Sequence, residues 1–229
     1  MAAPVIHIAD LVFRWGGTPC LDIASFHLKA GEKAFLHGPS GSGKSTLLNL
    51  LAGVLVPAAG ELAVLGQALP RLAGAARDRF RADHVGIVFQ QFNLIPYLSV
   101  LDNVLLPCRF SKLRQERADD PKAAAARLLA HLDLERTLWR RRADALSVGQ
   151  QQRVAAARAL IGHPELVIAD EPTSALDAER QAAFLELLIR ECDDAGSALL
   201  FVSHDRRLAS RFDRVLALPD INRAGERPS

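Results

Sequence analysis

Residues 38–46 read Gly-Pro-Ser-Gly-Ser-Gly-Lys-Ser-Thr and match the phosphate-binding pattern G-x-x-x-x-G-K-[ST] at every position. The apolar residues 34–36 before them predict a strand, and the leucine-rich residues 47–51 after them predict a helix. Glycines allow consecutive backbone N–H groups to face inward at the start of a helix, where unpaired amides and the helix dipole favour an anion. A glycine-rich loop that matches by chance would rarely also lie between a strand and a helix. The segment therefore predicts a phosphate-binding loop.

The pattern assigns roles to the residues of this loop. Lys44 is expected to reach the β- and γ-phosphates of a nucleoside triphosphate, and Ser45 to hold Mg²⁺ through its hydroxyl. The residues expected to contact the nucleotide are Gly38, Pro39, Ser40, Gly41, Ser42, Gly43, Lys44, Ser45 and Thr46. Kinases, GTPases and motor ATPases share such a loop, so the rest of the chain has to identify the class of protein.

Four further segments follow the loop in a fixed order. They are Gln90 after the strand-like residues 84–89, Leu146-Ser147-Val148-Gly149-Gln150 at the start of a helix, the apolar strand 166–171 that ends in two acids, and Ser203-His204-Asp205 after another strand. Together with the loop, they resemble the nucleotide-binding subunit of an ABC transporter, from about Val5 to Leu218. The resemblance implies an α/β fold, that of a P-loop NTPase: an ABC ATPase with a RecA-like core, an N-terminal antiparallel β layer and an inserted helical subdomain.

The composition is that of an ordinary globular protein, because 49% of the 229 residues are hydrophobic and 24% are charged. A net charge of +2 argues against nucleic acid as the main partner, since a duplex binder usually presents a basic face. No apolar run approaches about 18 residues, so no membrane-spanning helix is predicted, and residues 1–4 lack the features of a secretory signal. The three cysteines lie far apart without metal-type spacing, which is typical of reduced thiols in the cytosol.

Predicted strands and helices alternate along most of the chain, which indicates a mainly parallel sheet covered by helices on both faces. We expect strands at residues 5–15, 25–28, 61–65, 84–89, 166–171, 198–202 and 215–218, and helices over 44–53, over 71–81 and from Asp119-Asp120-Pro121 onward. Residues 92–150 show no clear strand pattern. We therefore expect one ABC ATP-binding domain over 1–229, with a core of about 1–91 and 155–218, a helical insert of about 92–154 and a loose tail over 219–229.

The acids at the end of strand 166–171 carry the expected chemistry. A strand that is buried on both faces delivers its last residues to the edge of the sheet where open α/β folds bind ligands. We expect Asp170 to order Mg²⁺ through water and Glu171 to polarise the attacking water as general base. The alternative is that both acids cap the turn at Pro172, but the phosphate loop upstream makes this the poorer explanation. Glu171 also argues against a cassette that binds ATP without hydrolysing it.

The resemblance adds two residues to this centre. His204 would contact the γ-phosphate and help to hold the attacking water. Gln90 would belong both to the catalytic residues and, with Ser45 and Asp170, to the Mg²⁺ site. The other six histidines have no motif. ATP and Mg²⁺ are therefore the expected cofactors.

The segment 146–153 predicts a second anion site, because Ser147 and the amides around Gly149 lie at the start of a helix. The resemblance implies that this site closes over the γ-phosphate bound to another subunit, so that two chains enclose two ATP molecules. The residues expected to act in trans are Ser147, Gly149, Gln150 and Asp177. Val148 replaces the glycine that is usual in the family, and a β-branched residue with positive φ would be costly. We therefore infer that residue 148 does not have a positive φ.

Trp15 occupies the position at which the family usually has a tyrosine that stacks on adenine. Flat ligands bind well against aromatic faces, which favours this role. A partly buried tryptophan at the end of a strand is the alternative, and Phe13 is the second candidate for stacking.

Residues 91–104 resemble the lipoprotein-releasing and macrolide-exporting subfamily. Exposed apolar residues here would accept the cytoplasmic coupling helix of an integral membrane permease, or would simply pack the helical insert. The resemblance implies a homodimeric, ATP-hydrolysing subunit on the cytoplasmic face of the bacterial inner membrane, which powers an exporter or extractor, with a periplasmic adaptor as an optional further partner. The alternative is an ATP-dependent transmembrane regulator of cell-wall hydrolases that transports nothing.

Overall fold

The computed structural model describes residues 3–174 and 176–225. The strands are β1 Ile6–Trp15, β2 Thr18–Leu28, β3 Lys33–His37, β4 Ala59–Val64, β5 Gln67–Ala68, β6 Val85–Val88, β7 Leu166–Asp170, β8 Ala198–Val202 and β9 Arg214–Ala217. The helices are α1 Lys44–Leu51, α2 Gly74–His84, α3 Val100–Phe110, α4 Lys112–Ala118, α5 Pro121–His131, α6 Val148–Leu160, α7 Ala178–Ala195 and α8 Leu218–Ile221. None of the helices described combines the length and the apolar character needed to cross a bilayer.

Two sheets form the framework of the fold. The first is antiparallel, with strand order β2-β1-β4-β5, and the second is parallel, with order β6-β7-β8-β3-β9. The chain between β6 and α6 folds into α3, α4 and α5. This arrangement confirms the predicted fold class: a parallel sheet with helices, an N-terminal antiparallel layer and inserted helices.

The parallel sheet separates two apolar cores because alternate residues of its strands point to opposite faces. Phe35, Val167 and Leu199 face the helices α3, α5, α6 and α7. Leu36 and Ile168 instead face the antiparallel sheet and α1. Each fully buried side chain of this size contributes roughly 1.5–3 kcal/mol of hydrophobic stabilisation. Because these strands are buried on both faces, the carboxyl edge of the sheet is held in place. The residues of the candidate site lie at that edge.

Several predicted boundaries differ from the structure. β2 begins at Thr18 rather than at residue 25, and the helix expected over 71–81 is Gly74–His84. The start of α5 follows the prediction, since Asp120 accepts hydrogen bonds from the N–H groups of Lys122 and Ala123 and Pro121 is the first helical residue.

The loose tail expected from residue 219 is incorrect as far as residue 225. Residues Leu218–Ile221 form α8, Asn222 forms an antiparallel bridge with Ile23, and a 3₁₀ turn follows over Arg223–Gly225. The physical reason is burial, because Leu218 is fully enclosed in the core. The remainder of the expected tail, 226–229, lies outside the described residues.

Candidate nucleotide-binding site

The phosphate-binding loop connects β3 to α1 through a backbone that only glycine adopts readily. Gly43 caps α1 with φ of 99°, in the left-handed region. A Cβ atom at Gly43 would lie 2.8 Å from Leu21 Cδ2 and 3.3 Å from the Cys20 carbonyl oxygen. Backbone conformation and available space therefore both require glycine where the loop enters the helix.

Lys44 and Ser45 are the first two residues of α1. The Lys44 ammonium donates to the carbonyl oxygens of Gly38 at 2.7 Å and of Pro39 at 3.0 Å, which places its charge over the loop. The N–H of Ser42 donates to the Pro39 carbonyl oxygen at 3.3 Å and closes the turn within the loop. A positive charge and the start of a helix thus lie together, as binding of a polyphosphate requires.

Asp170 ends β7, and Glu171 follows it with φ of 46°, which is unusual for a residue other than glycine. The Glu171 N–H donates to the Val202 carbonyl oxygen at 2.9 Å, and Glu171 Oε2 lies 2.8 Å from His204 Nδ1. The Glu171 side chain is 12% exposed, whereas that of His204 is 70% exposed. Two elements of the parallel sheet, the ends of β7 and β8, therefore hold the Glu171 carboxylate in one orientation.

The environment of Asp170 favours a bound cation. Burial raises the pKa of the Asp170 carboxyl group, the charge of Glu171 raises it further, and the charge of Lys44 lowers it. Ser45, Gln90 and Asp170 line the same cavity and supply hydroxyl, amide and carboxylate oxygens. These are hard ligands of the kind that Mg²⁺ prefers, so the residues present fit the predicted ion.

A cavity of about 640 Å³ brings most of the predicted residues together, within the size range of small-molecule sites. It is lined by Trp15, Cys20, Ser40, Gly41, Gly43, Lys44, Ser45, Thr46, Gln90, Asp170, Glu171 and His204. The loop, the acids, the glutamine and the histidine were predicted from separate segments of the sequence, and the ends of β3, β6, β7 and β8 bring them to one edge.

Trp15 lies at the mouth of this cavity and is 55% exposed. Its indole N–H donates to Thr46 Oγ1 at 3.4 Å. Phe13 packs edge-on against Trp15, with ring centroids 5.1 Å apart, and is only 7% exposed. Of the two aromatic candidates, Trp15 is therefore the exposed one, and Phe13 is buried beneath it.

The residues expected to act in trans lie elsewhere in the chain. Ser147 caps α6, and its side chain and that of Gln150 form a reciprocal capping box, with the Ser147 N–H donating to Gln150 Oε1 at 2.9 Å. Both residues and Gly149 line a second cavity, of about 500 Å³. Asp177 caps α7, whose Arg180 lines that same cavity. Within the described part of the chain, the two cavities have no lining residue in common.

Cys20 belongs to the phosphate cavity but was not predicted. Its thiol donates to Thr46 Oγ1 at 3.5 Å. The prediction placed the start of β2 at residue 25, so Cys20 lay outside any element. The Gly16-Gly17 pair is a two-residue hairpin signal that would have extended β2 back to Thr18 and placed Cys20 beside the loop.

Proteins that combine such a loop with acids at the end of a parallel strand bind nucleoside triphosphates. The fold and the phosphate cavity of this chain place it in the class of nucleoside-triphosphate-binding proteins. The profile of the ABC transporter family matches residues 21–174. The chain therefore belongs to the ABC transporter family, as an ATP-binding and ATP-hydrolysing subunit, which confirms the resemblance noted in the sequence.

Relatives and solved structures agree with this assignment. The chain is 45% identical over 191 residues to YbbA of Escherichia coli, an uncharacterised ABC transporter ATP-binding protein, covering 83% of this chain and 82% of YbbA. It is 39% identical over 222 residues to the lipoprotein-releasing system ATP-binding protein LolD of Syntrophotalea carbinolica, covering 95% and 96%. It is 38% identical over 225 residues to the macrolide export ATP-binding/permease protein MacB of Pasteurella multocida, covering 96% of this chain and 34% of MacB.

Among solved structures, the chain resembles the dimeric, post-hydrolysis state of the ATP-binding cassette MJ0796 bound to ADP and Pi. The TM-score is 0.82 at 34% sequence identity, and the match covers 93% of both chains.

Proposed function

We propose that the chain is the ATP-hydrolysing subunit of an exporter or extractor of the lipoprotein-releasing or macrolide-exporting type, acting as a homodimer bound to a membrane permease. One observation carries the proposal: the phosphate loop, Asp170 and the contacting pair Glu171 and His204 line one cavity. Similarity to LolD over nearly the full length of both chains, and to the ATP-binding part of MacB, supports the type of transporter.

The loop and Trp15 would bind the nucleotide. Backbone N–H groups of the loop and the Lys44 ammonium bind the phosphates, since both lie at the start of α1. Trp15 stacks on the base with its exposed face. Ser45, Gln90 and Asp170 would hold Mg²⁺, which when bound neutralises phosphate charge that develops during cleavage.

Glu171 would act as the general base of hydrolysis. Its carboxylate accepts the proton of a water molecule that attacks the γ-phosphorus, and the bond to the β-phosphate oxygen breaks to give ADP and phosphate. His204, 2.8 Å from Glu171 Oε2, fixes the carboxylate and presents its exposed ring to the γ-phosphate. Glu171 contacts His204, whereas Asp170 lines the cavity beside Ser45 and Gln90, so the two acids would serve different purposes.

A second copy of the chain would complete each site. Ser147, Gly149 and Gln150 line a cavity separate from the phosphate loop, so they are free to contact a nucleotide held by the partner. The dimeric form of the MJ0796 cassette supports the same arrangement. Asp177, at the start of α7 beside that cavity, would belong to the same trans contact.

Of the residues 91–104 that were expected to accept the permease, Phe92, Val100 and Val104 are buried and pack the helical insert, whereas Tyr97 is 68% exposed. The permease would dock at a groove beside Gln90. A groove of about 390 Å³ there is lined by Phe89, Asn93, Leu106 and Phe110, and Phe110 is 78% exposed. An exposed apolar groove of this kind suits the apolar face of a coupling helix. The chain would then lie on the cytoplasmic face of a bacterial inner membrane as a peripheral subunit, and a periplasmic adaptor would belong to a macrolide-exporting complex. The relatives described above give no support to the alternative of a signalling regulator.

Reconstitution with the permease would test this function. The chain is assembled in proteoliposomes with the integral membrane protein encoded beside it, and ATPase activity is measured with an acylated lipoprotein, with a macrolide and without either. We expect one of the two substrates to raise the activity, and Lys44→Ala in the same assembly to remove it, because the phosphates lose their cation. Activity indifferent to both substrates but changed by a bound cell-wall hydrolase would favour the signalling alternative.

A further inference from the structure

The segment from Leu218 to Ala224 covers the outer side of the phosphate-binding loop. A Cβ atom built on Gly38 would lie 3.5 Å from Leu218 Cβ and 3.4 Å from Pro219 Cδ, so the start of the loop packs directly on the start of α8. A cavity of about 400 Å³ between the segment and the loop is lined by Ser42 and Asn222, among others. The segment therefore lines a cavity that adjoins the phosphate cavity, because the two share Trp15, Cys20 and Gly41 among their lining residues.

Asn222 joins this segment to the loop and to β2. Its Oδ1 accepts hydrogen bonds from the N–H groups of Asp22 at 2.8 Å and of Ala224 at 3.1 Å. Its Nδ2 donates to the carbonyl oxygens of Cys20 at 3.0 Å and of Ser42 at 3.3 Å. The amide thus uses two donors and two acceptor positions, which is its full capacity. If the amide were reversed, its NH₂ group would face the two N–H donors and its oxygen would face the two carbonyl oxygens, so its orientation is fixed.

The bond to Ser42 determines the direction of a donor on the opposite side of the loop. The Ser42 carbonyl and the Gly43 N–H belong to one trans peptide group, which is planar. Because C=O and N–H point in opposite directions in such a group, holding the carbonyl at Asn222 turns the Gly43 N–H away from Asn222. Gly43 lines the phosphate cavity, whereas Ser42 and Asn222 line the adjoining cavity.

The loop needs an anchor of this kind because its glycines give it many alternative conformations. Gly41 and Gly43 have φ of 79° and 99°, and glycine loses more conformational freedom on ordering than any other residue. The bonds from Lys44 to Gly38 and Pro39 lie within the loop and the residue that follows it. Asn222 instead holds the loop from a segment 180 residues away in sequence.

We propose that Asn222 is a positioning residue of the nucleotide site: it holds the Ser42 carbonyl and thereby orients the Gly43 N–H toward the phosphates of a bound nucleoside triphosphate. Asn222 has this role only if the nucleotide site proposed above is correct. A well-oriented donor binds the phosphates before and during the reaction to a similar degree. Its loss should therefore weaken nucleotide binding more than it lowers turnover.

Two substitutions at Asn222 in the purified full-length chain provide the test. Asn222→Ala removes the side-chain bonds, and Asn222→Asp keeps the size but places a carboxylate oxygen against the carbonyl oxygens of Cys20 and Ser42. We expect the Kd of a fluorescent ATP analogue and the KM for ATP to rise roughly 3–10-fold in both variants, as for the loss of one hydrogen bond, with kcat within about twofold of wild type.

Ile221→Ala is the matched control, because Ile221 packs against the core from the same segment and its side chain takes no part in the bonds of Asn222. It should lower Tm while leaving KM and Kd unchanged. Wild-type KM and Kd in Asn222→Asp would overturn the positioning role, and so would an equal rise in Ile221→Ala. If the wild-type chain bound ATP no better than Lys44→Ala, the proposed function itself would be wrong, which is a distinguishable result.

Discussion

Glu171 shows how a single residue is held ready for one chemical role. A left-handed backbone costs a residue with a side chain roughly 1–2 kcal/mol, and Glu171 has φ of 46°. Its N–H is bonded to Val202, its carbonyl oxygen accepts from the Ser174 N–H at 3.3 Å, and its carboxylate contacts His204. Surrounding contacts of this kind can maintain a strained conformation, and such residues concentrate at active sites.

Glu171→Gln should keep the fold and ATP binding and stop hydrolysis, because the amide has the same shape but cannot accept a proton. The rate should fall roughly 10²–10⁴-fold, the usual contribution of a general base. Bound ATP should then persist, and gel filtration with ATP and Mg²⁺ should show a dimer. The exposed Glu61 provides the control, since Glu61→Gln makes the same chemical change at a residue that does not line the cavity and should leave the rate unchanged. Wild-type turnover in Glu171→Gln would exclude the role of general base.

The backbone at Val148 explains how the segment 146–153 tolerates a residue other than the glycine that is usual in the family. Val148 is the first residue of α6, directly after the cap Ser147. Its φ is not positive, unlike that of several other described residues. Its side chain is 48% exposed, so it displaces nothing in the core. The inference that residue 148 has an ordinary backbone is therefore confirmed, and the capping box of Ser147 and Gln150 forms despite the substitution.

At the scale of elements, one carboxylate links an inserted helix to the parallel sheet. Arg117 on α4 donates to Glu165 Oε1 at 2.6 Å and to the His163 carbonyl oxygen at 3.2 Å. His84 Nδ1, at the end of α2, lies 3.1 Å from Glu165 Oε2. Since Glu165 directly precedes β7, movement of α4 relative to the sheet would break these contacts.

These contacts predict how stability changes with pH. Burial alone would raise the pKa of Glu165, but the bonds with His84 and Arg117 outweigh it and lower the pKa to about 2 from 4.5. A carboxyl group whose pKa is lower in the folded state than in the unfolded state stabilises the fold at pH values above its unfolded pKa. This stabilisation is lost as the pH falls through the folded pKa. The difference in urea midpoint between wild type and Glu165→Gln should therefore have its full size just above pH 4.5 and should shrink toward zero near pH 2.

Glu116→Gln is the control for this prediction, because the Glu116 carboxylate forms a surface pair with Lys112 at 3.7 Å, with 61% of its side chain exposed. It should change the urea midpoint little at any pH, since exposed pairs contribute little. A difference between wild type and Glu165→Gln that did not vary between pH 4.5 and pH 2 would show that these contacts do not determine the acid sensitivity.

Some elements of the fold could be predicted from the sequence because a short segment of the chain determines each of them. The strand Ala198–Val202 and the helix start at Asp120-Pro121 agree with the prediction because a short apolar run and a capping pair specify them locally. Glu171 and His204 were both predicted, but their contact was not. The contact depends on the pairing of the neighbouring strands β7 and β8, which end at the same edge of the sheet. Asn222 was missed for the same reason, since its partners in β2 and the loop lie 180–202 residues away in sequence.

At the scale of the whole molecule, the described part of the chain carries two separate cavities to which the proposed function gives complementary roles. Lys44 and Glu171 line the phosphate cavity, and Ser147 and Gly149 line the second cavity at the start of α6. A head-to-tail pair of chains would place each second cavity over the phosphate cavity of its partner. Such a two-fold pair contains two equivalent composite sites, and each needs residues of both chains.

A mixing experiment distinguishes this composite site from a complete site in each chain. Lys44→Ala and Ser147→Arg should each be inactive, the first because it cannot hold the phosphates and the second because a bulky side chain prevents closure. A mixed dimer has one site with both defects and one with neither. An equal mixture, in which half of the dimers are mixed, should therefore recover roughly one quarter of wild-type ATPase activity, provided one intact site suffices.

Lys44→Ala mixed with Glu171→Gln is the matched control, because both residues line the same cavity of one chain. Each mixed dimer of these two variants has a defect in both of its sites, since one site lacks the lysine and the other lacks the base. This mixture should stay inactive under conditions in which Lys44→Ala and Ser147→Arg recover. Recovery in both mixtures would point to contamination with wild-type protein, and recovery in neither, or full activity of Ser147→Arg alone, would contradict a role of Ser147 in the partner's site.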